Sequence, residues 1–369
     1  MSKRNILLLV LFLLVAGGVV FLLQGRTVPA PEEPRYTASN NTTTPRVEVI
    51  GENLTVPWEI LFLPDGEFLI TERPGTIVLL RQGATLEVPN IEHTGEGGLL
   101  GAALHPSFEE NAYLYLYQTT QDEAGLSNRI VRYTFKDETL TFDRVIRSDL
   151  PGAIYHDGGR IAFGPDGYLY VTIGDALRGE EAQNPDSLEG TLLRMTDEGE
   201  PAPENPFNTL VYSYGHRNAQ GIAWDSEGRL WSSEHGRSVG GSGYDEINLI
   251  TPGGNYGWPD SQGDDVAEGT LAPTRHSTAD VTWAPGGLAY HNGSLYMPGL
   301  RGVTLYEAVL EGDAILEWRE HFVGEYGRLR TVQVGPDGML YLLTSNRDGR
   351  GDTPADNDDR VIRIDPTQL

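Results

Sequence analysis

The same hairpin is written into this chain six times. LPDGEFLIT turns at Gly66, HPSFEENAYLYLYQT at Asn111, GPDGYLYVT at Gly167, WDSEGRLWSS at Gly228, AYHNGSLYMP at Gly293 and GPDGMLYLLT at Gly338. Each unit runs from apolar residues through an Asp/Asn/Gly turn into alternating aromatic and aliphatic residues. That is an antiparallel hairpin whose turn needs a positive φ, which glycine adopts without strain. The turns lie 45, 56, 61, 65 and 45 residues apart. Self-similar β units at that period indicate a propeller, because one unit cannot bury its apolar faces alone. A sandwich would give shorter, less regular spacing and would not repeat one turn six times.

The expectation is therefore an all-β fold, a six-bladed β-propeller of four-stranded antiparallel blades, over residues 46–369. RVIRID at 360–365 is a good strand and is expected to pair with RVEVI at 46–50, closing the ring.

Before the propeller, Ile6 to Leu23 is an almost unbroken apolar run behind Lys3 and Arg4. It reads as a hydrophobic helix at the lower limit for a bilayer span, with its basic end in the cytoplasm. No clear small-residue cleavage site follows, so residues 1–26 read as a signal anchor, a cleaved signal peptide being the alternative. Residues 27–45 are rich in Pro, Thr and Asn and read as a flexible tether. The expected location is the cell membrane, with the propeller held outside the cytoplasm, or otherwise secretion. Asn40, Asn41, Asn53 and Asn292 stand in glycosylation sequons.

The formal charge is −26, and only two of the 27 basic residues are Lys. Such a surface repels nucleic acid, which excludes a nucleic-acid partner, and an acidic, Lys-poor surface suits high salt. With no Cys, disulfides and thiolate metal sites are excluded. Monomer and homodimer both remain open.

A propeller does not define a function, so the informative residues are those that the repeat does not need. Four sets stand out. HDGGR supplies His156 and Arg160, and Asp175 lies at the far end of the same hairpin, where it can meet His156. YGHRNAQG supplies His216, Arg217, Asn218 and Gln220. The Gly-rich stretch 234–259 carries Asp245, Glu246, Asn248 and Asn255. GRLRTV puts Arg328 and Arg330 on one side of a strand. Singly, each reads as a turn or a solvated edge. Three of the sets, however, precede a repeat hairpin at the same point, and equivalent points of a propeller converge on one mouth of its channel. That mouth would gather a base, several Arg and an oxygen-rich loop, which suits a polyanionic ligand.

In these motifs the chain resembles the pyrroloquinoline-quinone-dependent soluble aldose (glucose) dehydrogenases. PWEILFLPDGEFLITER, GLLGAALHPSF, HDGGRIAFGPDG, YGHRNAQG, DEINLITPGGNYGWP and GRLRTVQVGPDG follow the family in order, from about Gly51 to Asp365. The resemblance implies oxidation of the anomeric carbon of an aldose to a lactone, with pyrroloquinoline quinone and Ca2+ as cofactors and an electron acceptor that the sequence does not name. It implies His156 as general base and Asp175 as the carboxylate that orients it. It places Arg217 and Asn218 at the quinone oxygens, and Arg328 and Arg330 at the cofactor carboxylates. Arg301 stands where the family often has Lys, and Arg160 joins these as a cofactor contact. Backbone carbonyls at Gly236 and Arg237 would hold one Ca2+, and Glu246 with the Tyr256 carbonyl a second. Glu96 replaces a family Gln at a substrate contact. Two other readings stay open: a calcium-dependent propeller lactonase or hydrolase, and a non-catalytic extracellular binding propeller.

Overall fold

The computed structural model describes residues 35–36, 46–237 and 243–369. The chain divides into Met1–Glu32 and Glu33–Leu369, and the anchor expected over residues 1–26 lies outside the described residues. Among the described residues no helix is long and apolar enough to cross a membrane.

The described chain forms six antiparallel sheets. Blade 1 is Pro57–Phe62, Phe68–Glu72, Thr76–Leu79 and Ala84–Glu87. Blade 2 is Leu99–Leu104, Tyr113–Asp122, Gly125–Lys136 and Thr139–Pro151. Blade 3 is Ile161–Phe163, Leu169–Ile173, Thr191–Met195 and Val211–Tyr214. Blade 4 is Ala219–Trp224, Leu230–Glu234, Glu246–Ile250 and Arg275–His276. Blade 5 is Ala289–His291, Ser294–Pro298, Leu305–Glu311 and Ala314–His321. Blade 6 takes Leu329–Val334, Leu340–Thr344 and Val361–Ile364 from the C-terminal end, and Val47–Glu52 from the N-terminal end.

The six repeated hairpins are the first two strands of the six blades. In five of them the turn glycine is left-handed, with φ of 87° at Gly66, 81° at Gly167, 77° at Gly228, 89° at Gly293 and 74° at Gly338. Blade 2 solves the turn differently. A helical turn at Phe108–Asn111 precedes Ala112, which takes the left-handed conformation with φ 57°, so the reversal passes one residue beyond Asn111.

Ring closure follows the expected pairing, with Val47 opposite Ile364 and Val49 opposite Ile362. The tether adds one feature. Arg35–Tyr36 pairs with Glu52 and Gly51 and forms the edge of blade 6. Asn53 is buried, so its sequon is closed in the folded protein, whereas Asn292 stands at a turn.

The core lies between the sheets, not within one of them. Six buried apolar clusters occur, one at each junction of neighbouring blades. Leu69, Ile77 and Leu79 of blade 1 meet Leu114, Leu116 and Val131 of blade 2, for example. Ile60 and Ile70 meet Leu343 and Val361 at the seam where the ring closes. Strands buried on both faces explain the continuous apolar runs of the repeat; burying each Leu or Ile contributes about 1.5–3 kcal/mol. The first strands of the blades neighbour one another around the axis, and side chains at their two ends line separate cavities.

Candidate active site

The loops that enter the first strands meet at one mouth of the channel around a cavity of about 600 Å3. Asp157 and Gly158 come from the approach to blade 3, Gln220 from blade 4, and Arg328 and Arg330 from blade 6. Glu96, Arg237, Asp245, Arg301, Arg350 and Asp352 complete its charged lining. Members of all four sets therefore reach this cavity, with His156 next to Asp157 in the chain and Arg217 lining a small neighbouring cavity.

His156 and Asp175 form the pair that the hairpin suggested. His156 Nδ1 lies 2.7 Å from Asp175 Oδ1. Asp175 also accepts the Leu177 N–H at 2.9 Å and the Trp258 indole N–H at 2.8 Å. Burial would raise the Asp175 pKa, but the His156, Leu177 and Trp258 donors outweigh it and hold the carboxyl below its ordinary value. An ionised Asp175 requires the imidazole to carry its proton on Nδ1. Nε2 is then a lone-pair acceptor, and it makes no hydrogen bond among the described residues.

The backbone around the pair is tightly built. His156 has φ 65°, the left-handed region, and its N–H donates to Glu96 Oε2 at 3.0 Å. A Cβ on Gly174 would stand 1.9 Å from the His156 carbonyl oxygen, so TIGD needs its glycine for the strand to approach. The Gly158 N–H donates to Asn218 Oδ1 at 3.0 Å, which ties the second set to the first.

Arg217 is buried, its guanidinium 5.3 Å from the centre of the Trp258 ring. Burial lowers its pKa, opposed by Asp175, Glu96, Glu234 and Asp245. Asn218 is buried too, and its Nδ2 has no partner among the described residues.

The Arg pair divides. Arg328 is committed to Asp348, at 2.7 and 3.1 Å, and to the Leu300 carbonyl at 3.1 Å. Arg330 donates to Gln220 Oε1 at 2.9 Å, and its buried Nε has no partner among the described residues. Burial, with Arg73 and Arg328 nearby, pushes its pKa down to about 9. A buried cation beside two like charges is waiting for an anion. Arg301 is exposed on the rim.

Arg160 is placed elsewhere. It forms a buried ion pair with Glu59, donates to the Gln220 carbonyl at 2.9 Å, and lies 4.0 Å over Trp58. It lines the cavity at the opposite end of the channel and not the one lined by Arg328 and Arg330, so it stands apart from its expected place beside the cofactor; Glu59 matches its charge, while its buried Nη2 has no partner among the described residues.

The Gly-rich stretch builds two oxygen-rich corners. Asp245 accepts the N–H groups of Gly236, Trp283 and Ala284 at 2.9, 2.6 and 2.9 Å and so shapes the loop that carries the Gly236 and Arg237 carbonyls. The Arg237 carbonyl accepts the Gly243 N–H at 3.1 Å. Behind it, Glu234, Glu246, Tyr256 and Gln262 line a small cavity of about 20 Å3. Burial, and then Glu234, push the Glu246 carboxyl well above its ordinary range. Asn248 Oδ1 and Gln262 Oε1 are buried there without partners among the described residues. Orphaned oxygens suit a hard cation, although Arg217 and Arg237 line the same cavity and offset its two carboxylates. Side chains alone do not supply one: among the described residues no three His, Asp or Glu are grouped to hold a metal.

Several contributors were not singled out in the sequence. Trp258 holds Asp175 from within NYGWP. Glu234 binds His216 Nδ1 at 2.8 Å, and His216 Nε2 meets Ser213 at 2.9 Å, so His216 is fully buried and structural. Arg350 and Asp348 sit in a loop with no special motif.

Comparison with known proteins places this geometry. The pattern of the glucose/sorbosone dehydrogenase family matches residues 54–352. The chain is 32% identical to an aldose sugar dehydrogenase of Escherichia coli, over 83% of this chain and 91% of that one. Among solved structures, a putative glucose dehydrogenase of Thermus thermophilus is 49% identical with a TM-score of 0.81, covering 86% of this chain and 99% of that one. The PQQ-bound aldose sugar dehydrogenase of Streptomyces coelicolor is 42% identical with a TM-score of 0.77, covering 86% and 97%.

Proposed function

The chain belongs to the glucose/sorbosone dehydrogenase family, and we propose that it oxidises the anomeric carbon of aldose sugars to lactones with pyrroloquinoline quinone and Ca2+. The observation that carries this reading is a base with a free acceptor nitrogen beside a cationic cavity. His156 Nε2 is that acceptor, and Arg330 is a buried cation that lines the cavity without a carboxylate partner among the described residues. A cavity of this size holds a small molecule with room for a sugar against it.

Bound pyrroloquinoline quinone supplies a two-electron hydride acceptor, and Ca2+ a positive charge that polarises it. Arg330, Arg328, Arg301 and Asn218 would hold the cofactor, and Arg217 would face oxygen charge that grows during reaction, where a fixed cation is most effective. The Gly236 and Arg237 carbonyls suit one Ca2+, and the Glu246 and Tyr256 corner the second. His156 Nε2 takes the proton of the anomeric hydroxyl as the C1 hydrogen departs with its electron pair, which leaves the lactone carbonyl. Asp175 fixes the imidazole tautomer and favours the imidazolium formed. Glu96, on the rim beside His156, would accept a hydrogen bond from the sugar.

The same reading makes the protein an N-terminally anchored enzyme that works outside the cytoplasm. The test is reconstitution. The protein is mixed with pyrroloquinoline quinone and Ca2+, its visible spectrum recorded, and a panel of aldoses added. Reduction of the bound quinone by an aldose is expected. Tight binding without reduction would favour a binding propeller, and no binding would end the quinoprotein reading.

A further inference from the structure

Glu96 and Arg350 are 254 residues apart in sequence and 3.0 Å apart in the fold, joined by an ion pair across the rim of the cavity. Glu96 comes from the loop between blades 1 and 2, and Arg350 from the loop after the second strand of blade 6. Both meet the segment that carries His156. Glu96 Oε2 accepts the His156 N–H at 3.0 Å, and the Glu96 N–H donates to the Ile154 carbonyl at 2.9 Å. The Arg350 guanidinium lies 5.6 Å from the centre of the Tyr155 ring.

The Glu96 loop has little freedom to move. Buried Arg73 donates to the Gly95 and Gly97 carbonyls at 2.5 and 3.1 Å. A Cβ on Gly95 would stand 1.9 Å from the Ile154 carbonyl oxygen. Burial would raise the Glu96 pKa, but His235, the His156 N–H and Arg350 outweigh it and hold the carboxyl down at about 2. Glu96 is therefore an ionised group at a fixed place beside the base.

The Arg350 side chain is 46% exposed and that of Glu96 is 23% exposed. An ion pair so open to solvent adds little to stability. Its effect must be sought in what it does to the base. We propose that Arg350 is a positioning residue for His156: paired with Glu96, it pins the carboxylate that holds the His156 backbone and partly cancels the charge that the carboxylate exerts on the imidazole. This rests on the reading of His156 as the base.

Charge decides the sign. Asp175 bonds the imidazole, Glu96 bonds the His156 N–H and Arg350 is paired to Glu96, while Asp157 and His235 line the same cavity and buried Arg73 and Arg217 stand near Glu96. Removing the negative charge at Glu96 lowers the His156 pKa. Removing the positive charge at Arg350 raises it, because Glu96 is then uncompensated. Loss of structural support alone would loosen the His156–Asp175 hydrogen bond in both variants and lower the pKa in both.

The experiment is an NMR pH titration of the His156 imidazole in the full chain without cofactor, its signal identified by its loss in His156→Gln. Glu96→Gln should shift the pKa down by about half a unit or more, and Arg350→Gln up by a similar amount, the scale for one partly screened charge at close range. The double variant should return near the parent, and Arg350→Lys should restore the parent value. A fall in both single variants, or shifts below roughly 0.2 unit in both, would overturn the proposal. The readout needs neither quinone nor sugar. Failure of the dehydrogenase reading would appear separately, as an unreduced quinone in the reconstituted parent.

Discussion

The two mouths of the channel are made by the same six strands and hold opposite kinds of charge. At one mouth, Arg330 has no carboxylate partner among the described residues, His156 leaves Nε2 open, and the residues come from loops. At the other, the charge of Arg160 is matched by Glu59, although the Arg160 Nη2, like the Arg330 Nε, has no hydrogen-bond partner among the described residues; Gln333 donates to Glu59 at 3.1 Å, and the lining includes Ala103, Ala162, Ala223 and Ala289. The difference teaches how a propeller separates holding together from doing work. A charge satisfied by the fold stabilises the fold; a charge left unsatisfied is reserved for a ligand.

Mutations should therefore read out differently at the two ends. The largest effect is expected at the closed end. Arg160→Ala strands buried Glu59 and should cost about 3–5 kcal/mol of stability, measured by denaturant unfolding, the usual result of breaking a buried pair. A loss under ~1 kcal/mol would mean that water already serves Glu59 and that the two mouths are more alike than the contacts suggest.

Next is the base. His156→Ala should reduce turnover of the reconstituted protein by at least ~100-fold with cofactor still bound. Gln333→Ala, at the opposite mouth, should leave turnover within about twofold on the same scale. Equal losses at both sites would erase the contrast.

Asp157 sharpens the comparison through pH. It is buried beside the base, its Oδ2 has no partner among the described residues, and burial pushes its pKa up to about 6. An acid whose pKa is raised on folding carries no penalty below its unfolded value near 4. The penalty grows as pH rises and is complete above about 6, where it reaches roughly 2–3 kcal/mol. Asp157→Asn should thus match the parent in stability near pH 4 and exceed it above pH 6, in paired unfolding curves. A constant difference across that window would show that Asp157 does not titrate there.

The smallest effect separates the two arginines. Arg330→Ala should weaken cofactor binding by about 1.5–3 kcal/mol by calorimetry, while thermal stability holds or rises. Arg328→Ala should lose stability as well, because it strands Asp348, whose side chain is only 3% exposed. If the two variants behave alike, the division between a reserved and a committed arginine is wrong.

These outcomes also mark how far the sequence could be read. The propeller was legible because a turn that needs positive φ leaves a glycine, and alternating apolar strands leave a period. Blade 2 hid its turn residue because a helical turn delivers Ala112 into that conformation without a glycine. His156 and Asp175 were legible because one hairpin fixes both. Trp258 and Arg350 were not, because their partners come from other blades and no local pattern records a contact over such distances; Asp348 was missed although Arg328 lies only 20 residues before it, across the blade 6 hairpin. Arg160 was misplaced for a related reason. Its neighbours in sequence point to the site, but its side chain answers to Glu59, 101 residues away.

The seam in blade 6 has a consequence in time. Val47–Glu52 must wait for Val361–Ile364, which lie almost at the end of the chain. The other five blades are each made from one continuous stretch, but the ring has one unpaired edge until Val361–Ile364 are made. Contacts between such distant segments are slow to form. Closing that seam joins blade 6 to blade 1, the two sides from which Arg328 and Arg330 on one and Trp58 on the other line the cavity. A chain short of Val361–Ile364 thus lacks the seam that holds the two sides of this cavity together.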